Sequence, residues 1–144
     1  MNAGRELDAL VAEKVMGFQW VDEWQGLPGP YLVSPHPYLA GWRRDDGGIT
    51  AHLDGVTPDV VLPNYSTDIA AAMELFPKLR ERGWVYLTIQ SLPERADSPE
   101  WNEAIPIAWW AEFSRYRSAV EVTSDDCASP AEAICLAALK AVAA

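Results

Sequence analysis

Arginine set beside an aromatic ring is the pairing in this chain best suited to ligand chemistry. It occurs at Trp42-Arg43-Arg44 and again at Ser114-Arg115-Tyr116-Arg117. A guanidinium pairs with phosphate or carboxylate through parallel N–H donors, and the ring offers a face on which a flat ligand stacks. The same pattern equally describes an exposed strand edge with cations set among many acids. A second candidate is the helix start Tyr65-Ser66-Thr67-Asp68. Free backbone N–H groups at such a start bind anions, Ser66 and Thr67 add hydroxyls, and Tyr65 can stack or donate. Against this, Asp68 repels a phosphate, and capping by itself accounts for Ser66, Thr67 and Asp68. His52 and Asp54, at i, i+2 spacing, would share one strand face and begin a metal site. Only His36, inside Pro35-His36-Pro37, supplies another imidazole, and lone histidines near turns are ordinarily solvent contacts.

The expected binding set is therefore Trp42, Arg43 and Arg44; Tyr65, Ser66 and Thr67; and Arg115, Tyr116 and Arg117. Trp42, Tyr65 or Tyr116 would provide the stacking face. No catalytic residue, metal ligand or cofactor is expected. Lys78, Arg80 and Arg82 fall at a helix C-terminus, where cations favour the dipole, and are set aside. The sequence has no phosphate-loop lysine motif, dinucleotide glycine fingerprint, zinc-protease helix or nucleophile elbow.

Charge narrows the partners. The chain carries 11 basic and 21 acidic residues, a formal charge of −10, with the acids spread through both halves. A nucleic-acid polymer is disfavoured, because neutralising its backbone needs clustered Lys and Arg. Acidity steers the protein toward basic partners instead. No apolar run reaches the ~18–20 residues of a membrane span, and the N-terminus lacks the pattern of a signal peptide, so the expected location is cytoplasmic. Cys127 and Cys135 form neither a disulfide framework nor a zinc knuckle and read as reduced, Cys135 as a buried hydrophobe.

At 144 residues, 49% of them hydrophobic, the chain reads as a single domain over residues 1–144. The stretch Asn64–Phe76 reads as its central helix. Ile69, Ala72, Met73 and Phe76 recur at i, i+3, i+4 and i+7 as one buried stripe. Pro77 predicts a kink or a break into two short helices, and Gly83 ends the segment. Residues 3–16 form a first helix with Leu7, Leu10, Val11 and Val15 inward and Gly17 as a left-handed cap. Between them, Tyr31–Val33 is a short edge strand in a segment rich in Trp, Pro and Gly. A hairpin pairs 41–45 with 49–53 around Asp46-Gly47. Trp20 and Trp24, at i, i+4, would put at least one ring on a pocket or partner surface. Trp84–Gln90 is the strongest strand, and residues 91–104 are a polar loop. Residues 105–113 and 116–122 are two more strands, joined tightly at Ser114-Arg115. The adjacent Trp109 and Trp110 would point to opposite faces of their strand, both of them core if helices cover both faces. Ser129-Pro130-Ala131-Glu132 is a capping box opening the last helix, with Ile134, Ala138 and Val142 on one face. The order α-β-β-α-β-β-β-α predicts an α+β fold. It would be a three-layer α-β-α sandwich whose mixed or mainly antiparallel sheet of about five strands has helices on its faces.

Three segments resemble one known family. They are residues 5–17 (RELDALVAEKVMG), 65–72 (YSTDIAAA) and 128–141 (ASPAEAICLAALKA). Read together they are similar to the phage ABA-sandwich domain family, small proteins of phages and prophages. Residues 18–62 and 91–105 carry no matching motif, and Pro77 departs from the uninterrupted helix the family would have. The resemblance implies an α-β-α sandwich and a viral origin, and it brings no catalytic residues.

Three functions stand as expectations. The first is a non-enzymatic phage binding protein that sequesters a small nucleotide-like ligand such as a host immune signal. The second is an acidic interaction module inhibiting a host defence or DNA-binding protein, anchored by the Trp- and Pro-rich segment 18–42. The third is a metal-dependent enzyme on His36, His52 and Asp54. Each would act in the cytoplasm of an infected bacterium, and assembly into a homo-oligomer is left open.

Overall fold

The computed structural model describes residues 2–24, 26–35, 40–44, 49–50, 62–93, 106–115 and 121–144. Helix α1 (Arg5–Lys14) leads into strands β1 (Gln19–Trp24), β2 (Leu27–Val33), β3 (Ala40–Trp42) and β4 (Ile49–Thr50). Helices α2 (Ile69–Met73) and α3 (Leu75–Glu81) follow. Then come β5 (Trp84–Pro93), β6 (Pro106–Arg115), β7 (Glu121–Thr123) and helix α4 (Pro130–Ala143). The fold is α+β and its described strand pairs are all antiparallel. The strands make two sheets, β1-β2-β3-β4 and β5-β6-β7, in place of the single sheet the element order suggested.

Local chemistry explains the helix ends. Gly17 takes φ +83°, the left-handed conformation that ends α1, and Phe18 N–H reaches back to the Ala12 carbonyl at 2.9 Å. Ser129 Oγ accepts from Glu132 N–H at 3.2 Å, with Pro130 in the first turn of α4. The 69–81 segment breaks at Glu74, three residues before Pro77. Proline has no N–H for the carbonyl four residues back and its ring crowds that carbonyl, so the disturbance falls upstream, and Pro77 itself sits in the tolerant first turn of α3.

The buried stripe also differs from the expected one. Ala72, Leu75 and Leu79 are the fully buried positions and Phe76 is half-buried, while Ile69 and Met73 are 44% and 41% exposed. The hub of the core is also a different helix from the one the sequence suggested. α4 touches α1, α2, α3 and all three strands of the β5-β6-β7 sheet. Ala133, Ile134, Cys135, Ala137 and Ala138 are fully buried on it. Alanine keeps the helix thin enough for neighbours on several sides.

Three strand expectations change. β1 pairs along β2 around a bulge between Val21 and Glu23, and β2 is an interior strand, not an edge. Pro28 and Pro30 fit there because β3 pairs only with Leu32 and Val33, so the proline half of β2 has a described neighbour on one side alone. Ser114 and Arg115 belong to β6, opposite Tyr86 and Trp84, and do not form a turn. The hairpin of β3 and β4 is present, and its Asp46-Gly47 turn lies outside the described residues. Trp109 packs against the core and pairs with Cys127, while its neighbour Trp110 is half-buried on a strand whose odd positions, Ala111 and Phe113, face inward.

Candidate functional site

The helix start at residues 64–68 is occupied by the protein itself. Asp8, 1% exposed, accepts from Ser66 N–H and Ser66 Oγ, both at 2.7 Å, on one carboxylate oxygen. Its other oxygen takes Arg5 Nη1 at 3.0 Å. Arg5 also donates to Asn64 Oδ1 at 2.6 Å and to the Leu62 carbonyl at 2.7 Å. Ser66 Oγ accepts from Gly4 N–H at 2.9 Å, and Ala3 N–H donates to Glu132 Oε2 at 2.8 Å. This polar junction ties the first residues of the chain, the 62–68 turn and the start of α4 together, with each buried group satisfied. Tyr65 is 1% exposed, and burial, then Glu74, holds its hydroxyl well above the usual range. The hydroxyl stays protonated and the ring has no open face. Thr67 is exposed, and its N–H bonds back to Asn64. α2 is five residues long and Asp68 caps it by accepting from Ala70 N–H at 3.0 Å.

Arginine–aromatic pairs exist, but their rings are not the expected ones: Tyr31 and Trp84 are buried and Trp20 is half-buried. The Arg44 guanidinium lies 4.7 Å over the Trp20 ring, while its Nε reaches both carboxylate oxygens of Glu6 at 2.9 Å. Arg43 sits 5.9 Å over Tyr31. Arg115 is 4.5 Å over Trp84, itself fully buried. Trp42, expected as a stacking face, is 2% exposed and packs against Trp20 at 6.3 Å between ring centres. Arg115 Nε is buried without a hydrogen-bond partner among the described residues, as are the indole nitrogens of Trp42 and Trp84. Tyr116 and Arg117 lie outside the described residues, as do His36, His52 and Asp54 of the expected metal site. Among the described residues no cluster of His, Cys, Asp and Glu is placed to hold a metal ion.

Of the expected residues, the fold gathers Tyr65 and Ser66 with α1, and brings Arg44 to the same helix through Glu6. Arg115 stands apart on β6. What the sequence reading missed is the surface of α2. Ile69 and Met73, one turn apart, are exposed on a helix bracketed by Asp68 and Glu74. Beside them is a cleft of about 270 Å³ lined by Pro63, Asn64, Asp68, Ala70, Ala71 and Glu74. No described Lys or Arg lines it. The available signal was the alternative spacing Ala72, Leu75, Phe76 and Leu79, an i, i+3, i+4, i+7 series that leaves Met73 off the buried face and Ile69 at its edge.

Both cysteines are free and buried. Burial, then Glu132, pushes the Cys127 thiol up to about 11, and burial raises Cys135 further. Neither is a thiolate at neutral pH.

The chain matches no protein-family model and no curated protein sequence. Among solved structures it is similar to a phage protein from Bacillus cereus ATCC 14579, with 15% identity, a TM-score of 0.47, and coverage of 98% of this chain and 95% of that one. No helix among the described residues is long and apolar enough to cross a membrane.

Proposed function

We propose that this protein acts by binding, without chemistry of its own, and that its partner is a basic protein of a bacterial host. The observation that carries this reading is the α2 surface, where Ile69 and Met73 stand exposed between two carboxylates and beside a cleft with an acidic lining. An apolar anchor flanked by two carboxylates suits a partner that presents an apolar side chain beside Lys or Arg. The formal charge of −10 steers such a partner from a distance. Host defence and DNA-binding proteins have the required surface chemistry. The resemblance of residues 5–17, 65–72 and 128–141 supports membership of the phage ABA-sandwich family, and with it action in the cytoplasm of an infected cell.

A second reading, sequestration of a small nucleotide-like ligand such as a host immune signal, is favoured by one observation. Arg115 Nε has no hydrogen-bond partner among the described residues, so an incoming anion would satisfy it. The other arginines support it less, because Arg44 already holds Glu6 and a ring, and Arg43 lies over a ring.

Capture from host lysate, run in parallel with the Ile69→Glu/Met73→Glu double variant, tests the first reading. A basic protein held by the natural chain and lost from the variant is the expected result. Equal retention by both, or none by either, contradicts it. Calorimetry against a cyclic-nucleotide panel tests the second. Binding that Arg115→Ala weakens by roughly tenfold or more would favour it over the first.

A further inference from the structure

We infer that the edge of β5 left open among the described residues is a self-pairing surface, on which a second copy of this chain adds its own β5 antiparallel and joins two three-stranded sheets into one. The hydrogen-bond pattern of β6 fixes which groups face that edge. Trp109 N–H and C=O both bond to Cys127, and the Ala111 carbonyl accepts from Ser124 N–H, so the odd positions of β6 turn their backbone toward β7. Neighbouring residues of an antiparallel strand turn theirs the opposite way. Trp110, Glu112 and Ser114 therefore bond to their register partners Gln90, Thr88 and Tyr86 on β5. Alternation along β5 then leaves the N–H and C=O groups of Leu87, Ile89 and Ser91 pointing away from β6. No described strand pairs with that side.

Ten residues is long for an open edge, and natural edges are usually blunted by charge, proline or a short span. β5 uses none of these between Val85 and Leu92, a stretch without a single charged side chain in a chain of charge −10. The strip also leaves local charge no objection to a second copy. Two copies repel each other over most of their surfaces, and this uncharged strip is a place where they can approach without opposing like charges. Geometry agrees, because an antiparallel pair of identical strands has the two-fold symmetry of a closed dimer. An axis at Ile89 sets Leu87 of one copy opposite Ser91 of the other and bonds all three outward residues.

Sedimentation equilibrium on the natural chain and on Ser91→Pro tests this. Proline there removes a donor aimed at the open edge and leaves the bonds to β6 intact, because those come from the even positions. The natural chain should form a dimer with rising concentration, and the variant should associate at least tenfold more weakly. Hydrogen exchange on the natural chain gives a readout that does not depend on how the variant folds. The amides of Leu87, Ile89 and Ser91 should gain protection as concentration rises, while those of Thr88 and Gln90 stay protected throughout. A natural chain that remains monomeric up to about 1 mM overturns the inference. So does a dimer that forms without protecting those three amides, or edge protection that appears only when a different protein is added.

Discussion

Helices α2 and α4 are both rich in alanine, and they have opposite fates. α4 runs fourteen residues with a closed N-terminus and is enclosed by three helices and a sheet. α2 runs five, ends at the break before Pro77, and leaves its two largest side chains outside. Alanine permits close approach in both. Length and punctuation decide whether neighbours close in. A helix of one turn has room for a single buried position, Ala72, and its remaining faces become surface.

The comparison predicts unequal responses to mutation. The largest belongs to α4: Ile134→Ala should lower unfolding free energy by about 2–5 kcal/mol in urea or thermal melts, because the site is enclosed and collapses poorly. Next comes the polar junction that anchors the turn ahead of α2. Asp8→Ala strands Ser66 N–H, its hydroxyl and one Arg5 donor, and a cost of about 1–3 kcal/mol should appear in the same assay. Asp8→Asn, which keeps an acceptor, should cost less.

A pH series sharpens the picture at the start of α4. Cys127 is raised from an ordinary 9.0 to about 11 in the folded protein. Between those values the unfolded chain binds fewer protons than the folded one, so stability falls as pH rises. The contribution is whole below pH 9 and lost by about 11. It should amount to about 1–2 kcal/mol after allowance for screening. Cys127→Ala should make that part of the curve shallower without flattening it, because buried Cys135 and Tyr65 are raised as well; a slope unchanged by the substitution would remove Cys127 from the account.

Much of this contrast was legible in the sequence. The Ser129 cap, the cap at Gly17, the strand from Trp84 and the hairpin around residues 41–50 follow from local chemistry, which acts within a few residues, whereas the Glu132 carboxylate expected to complete a capping box takes Ala3 N–H instead. The exposure of Ile69 and Met73 was not legible, because the segment offers two stripes at helical spacing, Ile69, Ala72, Met73 and Phe76 or Ala72, Leu75, Phe76 and Leu79, and tertiary packing selects the second. β1 was missed because its edge-to-edge pairing with a proline-bearing strand depends on which neighbours are absent, a tertiary fact. The candidate site shows the same limit. Cap chemistry at Ser66 and arginine beside an aromatic ring were both readable, but Asp8, Glu6, Trp20 and Trp84 arrive from distant parts of the chain to occupy them.

The smallest expected effect is the most informative. Ile69 and Met73 are held to be surface kept for a partner, with no part in the core, so replacing both with serine should change stability by less than about 0.5 kcal/mol. Equilibrium urea unfolding of Ile69→Ser/Met73→Ser beside Ile134→Ala measures this directly. The expected result is a midpoint close to that of the natural chain for the double variant and a large loss for Ile134→Ala. A double variant that loses about as much stability as Ile134→Ala would place the pair in the core and remove the proposed docking surface.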